Sequence, residues 1–202
     1  MNIKKINIFL ITLSILILLG NTISLGEPNV SVDNTLGNST IVGCSKTSTQ
    51  DIGFIKTSLM KQGHSLPKYI VCNNFIGKHI WLKSSDKNKK RDFEDVEGFY
   101  VPLSNGESLI FSRQDSKYDS FTRILTHELG HYNHNKKLGL EVFTSINDKP
   151  IPPELTTKIK FLMGDYAATS RREFVAEYFS LSYMGVKFPE ELTRLYVECK
   201  GS

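Results

Sequence analysis

Apolar residues follow three rhythms along this chain. From Ile6 to Leu19 they run almost unbroken, with only Asn7, Thr12 and Ser14 between them. Between Lys68 and Ser112 they come in short runs, KYIVC, KHIWLK, GFYVPL and ESLIFS, whose length and β-branched or aromatic content predict strands. The last two flank SNG, which predicts a hairpin turn. Elsewhere the spacing is three to four. Ile52, Ile55, Leu59 and Met60 predict a helix that ends near Gly63. Phe121, Leu125, Leu129 and Tyr132 predict a second, running from Ser120 to a stop at Gly139. PPELTTKIKFLMG opens with prolines suited to a first turn, TSRREFVAEYFSLSYMG opens with a cap residue, and PEELTRLYVEC makes the last helix. A helix, a small mixed sheet and then several helices predict an α+β fold in a single domain over residues 51–202. No internal repeat is visible.

The remaining segments read differently. Lys4 and Lys5 before the apolar run give the layout of a secretory signal over residues 1–26, with cleavage near Gly26. The run is short for a membrane span of about 20 residues, so no stable membrane association is expected after cleavage. Residues 27–50 are rich in Ser, Thr, Asn and Gly and predict a flexible leader. The basic cluster in SSDKNKKRDFED predicts a solvated loop. A formal charge of +4, part of it removed with the signal, gives no reason to expect nucleic acid, and a monomer is expected. Cys44, Cys72 and Cys199 are too few and too spread for a disulfide framework or a thiolate zinc site, although an exported chain can pair two of them.

Chemistry concentrates in RILTHELGHYNH. Residues four apart lie above one another on a helix, so His127 and His131 can offer both imidazoles to one ion. Glu128, beside the first histidine, is placed to address a water on that ion, which is the logic of an HExxH zinc peptidase helix. His134 lies two turns and about 10 Å of rise beyond His127, too far to share a metal with bonds of about 2 Å, so a solvent-facing or supporting place is expected. Lys137 stands where an extended motif would need a third histidine. A catalytic zinc commonly takes three protein ligands, often two histidines and a glutamate. Spacing offers Glu173 and Glu177, four apart on one helix face, and Asp165 after Gly164. Glu173 also closes a capping box with Ser170, which would give its carboxylate a purely structural task. The pattern leaves these three open.

HELGH followed by YAATSRREFVAEYF resembles the catalytic domain of anthrax lethal factor and the secreted clostridial Pro-Pro endopeptidases, gluzincin metallopeptidases of zincin-like fold. The shared motif is a tyrosine, six residues, then Glu-Phe-x-Ala-Glu-x-Phe: here Tyr166, Glu173, Phe174, Ala176, Glu177 and Phe179. The resemblance implies a single zinc ion on His127, His131 and Glu173, with Glu177 an acid behind the ligands. It implies Glu128 as general base and Tyr166 as the hydroxyl that stabilises the oxyanion. The expected activity is that of a secreted, extracellular zinc metalloendopeptidase acting on protein or peptide substrates. The alternative is a secreted zinc-binding module that acts by partner binding without proteolysis. Arg172 stands where the clostridial enzymes carry an acid, so the likeness does not extend to Pro-Pro selectivity. ESLIFS is a candidate edge strand for an extended peptide.

Overall fold

The computed structural model describes residues 32–84, 92–103 and 105–201. The expected signal segment and most of the basic cluster lie outside the described residues. The fold is α+β, with one five-stranded mixed sheet in the order β1-β2-β3-β5-β4. The strands are β1 (Val32–Leu36), β2 (Ser39–Val42), β3 (Tyr69–Val71), β4 (Gly98–Pro102) and β5 (Ser108–Ser112). β2, β3 and β5 run parallel, while β1 and β4 pair antiparallel at the two edges.

Register explains the layering. Ile41, Ile70 and Ile110 stand side by side, as do Val42, Val71 and Phe111 one position on. Successive strand residues face opposite ways. The isoleucine row packs on helix α1 (Lys46–Lys61) and helix α3 (Phe121–Leu138), through Ile52, Ile55, Leu59, Leu125 and Leu129. The Val-Val-Phe row packs on helix α2 (Asn74–Ser84) through Ile76 and Ile80. The sheet is therefore buried on both faces, which explains why β5 carries the near-continuous run SLIFS with every residue buried.

A third apolar cluster joins α5 (Pro153–Met163), α6 (Arg171–Tyr183) and α7 (Glu190–Glu198) around Phe174, Ile159 and Leu192. The short helix α4 (Leu140–Ser145) links α3 to this group and buries Phe143. Among the described residues no helix is long and apolar enough to cross a membrane.

Four expectations are corrected here. The leader expected over residues 27–50 instead contributes β1, β2 and the start of α1: Ile41 and Val42 are core residues, and Ser45 caps α1 by accepting from the Ser48 N–H at 3.1 Å. KHIWLK is helical, lying inside α2, whose start is fixed by the Asn73 side chain accepting from the Ile76 N–H at 3.0 Å. ESLIFS is not an edge; β5 sits between β3 and β4, and GFYVP forms the edge strand on that side. His134 is not solvent-facing. It is fully buried, and its Nε2 donates to the Cys199 carbonyl at 2.8 Å, tying α3 to the end of α7.

Cys44 and Cys72 form a disulfide across the ends of the parallel neighbours β2 and β3, with Cα atoms 4.8 Å apart. A bridge at a sequence separation of 28 stabilises by roughly 3–4 kcal/mol through chain entropy. Cys199 stays reduced and buried.

Burial of His134 pushes its pKa down to about 4, against the opposing pull of the Cys199 carbonyl. A buried histidine with a lowered pKa stabilises the fold above its unfolded value near 6.5. That contribution is lost as pH falls from 6.5 towards 4, because only the unfolded chain then takes the proton. The full shift is worth at most about 3 kcal/mol. Urea midpoints of the chelated protein are expected to fall across this window. His134→Gln, which keeps a donor for the carbonyl, should flatten that slope; an unchanged slope would assign the loss to other groups.

Candidate metal centre and cleft

Helix α3 begins at Ser120, whose hydroxyl accepts from the Arg123 N–H at 3.2 Å. Its Leu125 and Leu129 anchor one side in the core, which turns His127 and His131 to the other side, towards a cleft of about 850 Å³. The cleft lies between α3, the edge strand β4, and the start of α6. Helix α6 crosses α3 at very close range. A Cβ placed on Gly130 would lie 2.8 Å from the Ala176 Cα and 3.0 Å from its carbonyl oxygen. Only glycine fits at that crossing. Thr126 and Ser180 add a buried hydrogen bond of 2.7 Å between the same helices.

This crossing brings the first turn of α6 over the two imidazoles. Glu173 Oε2 lies 3.2 Å from His127 Nε2 and 3.1 Å from His131 Nε2. One donor atom from each residue falls within 4.8 Å of the other two. The capping box is half made: Ser170 accepts from the Glu173 N–H at 3.2 Å, but the Glu173 carboxylate turns to the histidines. Of the three acids that spacing left open, the structure brings Glu173 to the site. Asp165 is exposed and pairs with Lys160 at 3.4 Å.

Glu177 sits one turn further along α6 and reaches the other side of His127. Its Oε1 is 3.1 Å from His127 Nδ1, and its Oε2 accepts from Arg123 Nη2 at 2.7 Å. Arg123 Nε in turn lies 3.0 Å from Asp119 Oδ2. This arrangement sets a carboxylate beside Nδ1 of His127 and leaves its Nε2 turned towards Glu173 and His131. Sequence reasoning missed Asp119 and Arg123, although part of the signal was present: Arg123 stands four residues before His127 on its own helix face, and Asp119 lies just before the cap of the same helix.

Electrostatics follow from this crowding. Burial alone would lower the pKa of His127, but Glu173 and Glu177 outweigh it and raise it to about 10. Burial would raise Glu173, yet the two histidines hold it well below the usual carboxylate range. Glu128 is buried and makes no contribution to the triad. Its pKa is raised, first by burial and then by Glu173 and Glu177, against the pull of the two histidines. The backbone of β4 passes directly over it: a Cβ on Gly98 would stand 3.0 Å from Glu128 Oε1. Tyr166, in a 3-10 turn (Tyr166–Ala168), is about half exposed at the cleft mouth, its ring centroid 5.8 Å from that of His127.

Two imidazole nitrogens and a carboxylate oxygen, clustered at one wall of an open cleft, suit a divalent cation of intermediate softness. A field strong enough to hold a proton on a buried imidazole is one that a cation can satisfy instead. Fold and site thus define an α+β domain with a His-His-Glu cluster able to hold a metal ion. No family model, curated protein or solved structure matches the chain.

Gly130→Ala tests the crossing. The added methyl must push Ala176 backbone away, at a cost of about 1–3 kcal/mol, and lift Glu173 from the histidines with it. A lower melting temperature together with weaker metal retention is expected. A variant with full metal affinity would mean that the crossing does not set the site.

Proposed function

We propose that the chain is a secreted zinc metalloendopeptidase of zincin-like fold, with zinc held by His127, His131 and Glu173. The observation that carries this reading is Glu128. It is a buried carboxylate with a raised pKa beside the triad, it takes no part in holding an ion, and it faces the cleft. A pure binding site has no use for it. A zinc ion held by His127, His131 and Glu173 would supply Lewis acidity, lowering the pKa of water there to near neutrality.

The chain's own residues do the rest. Glu128 takes the proton of the attacking water and returns it to the leaving amine. Glu177, with Arg123 and Asp119 behind it, keeps His127 oriented. The Tyr166 hydroxyl at the cleft mouth donates to the developing oxyanion. Edge strand β4, paired on one side only, supports an extended peptide over Glu128. The disulfide between Cys44 and Cys72 suits an oxidising, extracellular setting and a protein or peptide substrate there.

The test is to incubate the zinc-loaded protein with a diverse peptide pool, with and without chelator, and sequence the products. Chelator-sensitive internal cleavage is expected. Zinc binding without cleavage would leave a binding module. Tyr166→Phe should lower kcat about 10²-fold with KM nearly unchanged. An unchanged kcat would remove Tyr166 from the mechanism.

A further inference from the structure

Arg113, Arg123, Arg171 and Arg194 each donate to a carbonyl or carboxylate. Arg172 does not. Its guanidinium lies on the cleft wall with its carbon 5.3 Å from the centroid of the Phe143 ring, another wall residue, and its Nε is buried with no hydrogen-bond partner. Desolvating a charged donor without an acceptor is costly, so such a group signals an absent partner. The described carboxylates of the cleft wall do not fill the role. Glu173 is held by the histidines, Glu177 by Arg123 and His127, and Asp119 by Arg123. Glu97, also on the wall, makes no ion pair with Arg172, and Glu97 Oε2 is itself buried without a partner. A guanidinium packed over an aromatic face leaves its terminal Nη groups able to meet a carboxylate, while the buried Nε stays out of a ligand's reach.

We propose that Arg172 is the specificity-determining residue of the cleft and binds a carboxylate of the substrate peptide next to the scissile bond. This inference rests on the peptidase reading. The carboxylate has two sources: an Asp or Glu side chain, or the free C-terminus of a short peptide. Position supports a role beside the bond that is cut, because Arg172 immediately precedes Glu173 and its Phe143 partner lies 6.3 Å, centroid to centroid, from the His131 ring. A bidentate Arg–carboxylate pair out of bulk water is worth a tenfold to hundredfold preference, roughly, over a neutral amide.

The experiment uses the zinc-loaded full chain and pairs of peptides cleaved in the pool. Each pair differs by Glu against Gln, or Asp against Asn, at one position within three residues of the cut. A second arm compares free with amidated C-termini. Expected is a kcat/KM at least about tenfold higher for the acid at one position, or for the free terminus, and this comparison needs no variant. In Arg172→Gln that ratio should fall to about one, and in Arg172→Glu it should invert in favour of lysine at the same position. Zinc content and melting temperature are measured alongside. A guanidinium that serves only to pack Phe143 would instead slow every peptide alike and leave the ratio unmoved. Equal rates for acid and amide in the unaltered protein, in both arms, would overturn the role of Arg172 while the peptidase reading stands. No cleavage of any peptide would overturn both.

Discussion

Replacing Glu128 by glutamine is expected to leave one metal ion per chain and to lower peptide hydrolysis by about 10³–10⁴-fold, the upper range for a lost general base. The two halves of this expectation come from different features. Metal retention follows because Glu128 donates no atom to the cluster of His127, His131 and Glu173. Loss of rate follows because no other described carboxylate has its position. Glu173 and Glu177 are held by cationic groups, whereas burial keeps the Glu128 pKa raised. Glutamine preserves the volume under Gly98, so packing against β4 should be undisturbed. Metal analysis and single-turnover kinetics on the same preparation check both halves. Cleavage that persists would move the base elsewhere, and metal lost from the variant would give Glu128 a structural part in the site.

Much of the site was legible because helix spacing is a local property. The pairing of His127 with His131, and of Glu173 with Glu177, needs only a period of 3.6. The choice between the two acids was not legible. It depends on how α6 crosses α3, and that crossing is set by Gly130 against Ala176, a contact between residues 46 positions apart whose meaning appears only in three dimensions. The same limit explains the errors in the fold. KHIWLK is too short for its period to separate strand from buried helix, and the capping side chain of Asn73 decided it. STIV looked like leader because its composition is polar, yet parallel pairing with β3 buries Ile41 and Val42. The edge strand was misplaced for a related reason. A strand buried on both faces and one with an open edge both read as short apolar runs, although Pro102 at the end of β4 was the available clue. His134 shares a helix side with His127 on paper, but α7 and its Cys199 carbonyl claim it.

Replacing Glu173 by alanine is expected to weaken metal binding by at least about 10²-fold, more than the 10–100-fold typical of losing a group that only orients a ligand. Three contacts make the case. Glu173 Oε2 meets both imidazoles at 3.2 and 3.1 Å, so its removal leaves two neutral donors where there were three ligands and one negative charge. Glu177 cannot move in to replace it without leaving Arg123, its partner at 2.7 Å, and freeing His127 to turn. Asp165 is held apart at Lys160. Glu177→Gln offers the contrast: it keeps the ligand set and should lose only the smaller factor. Because an ion that binds the folded chain stabilises it by about 4 kcal/mol at a thousand times its dissociation constant, thermal melts with added zinc read the difference. The unaltered protein should gain several degrees, Glu177→Gln fewer, and Glu173→Ala the fewest at the same zinc concentration. If Glu173→Ala melts like the unaltered protein at every zinc level while Glu177→Gln does not, the third ligand is Glu177, and the contact of Glu173 with the histidines is only the salt bridge of a buried cluster.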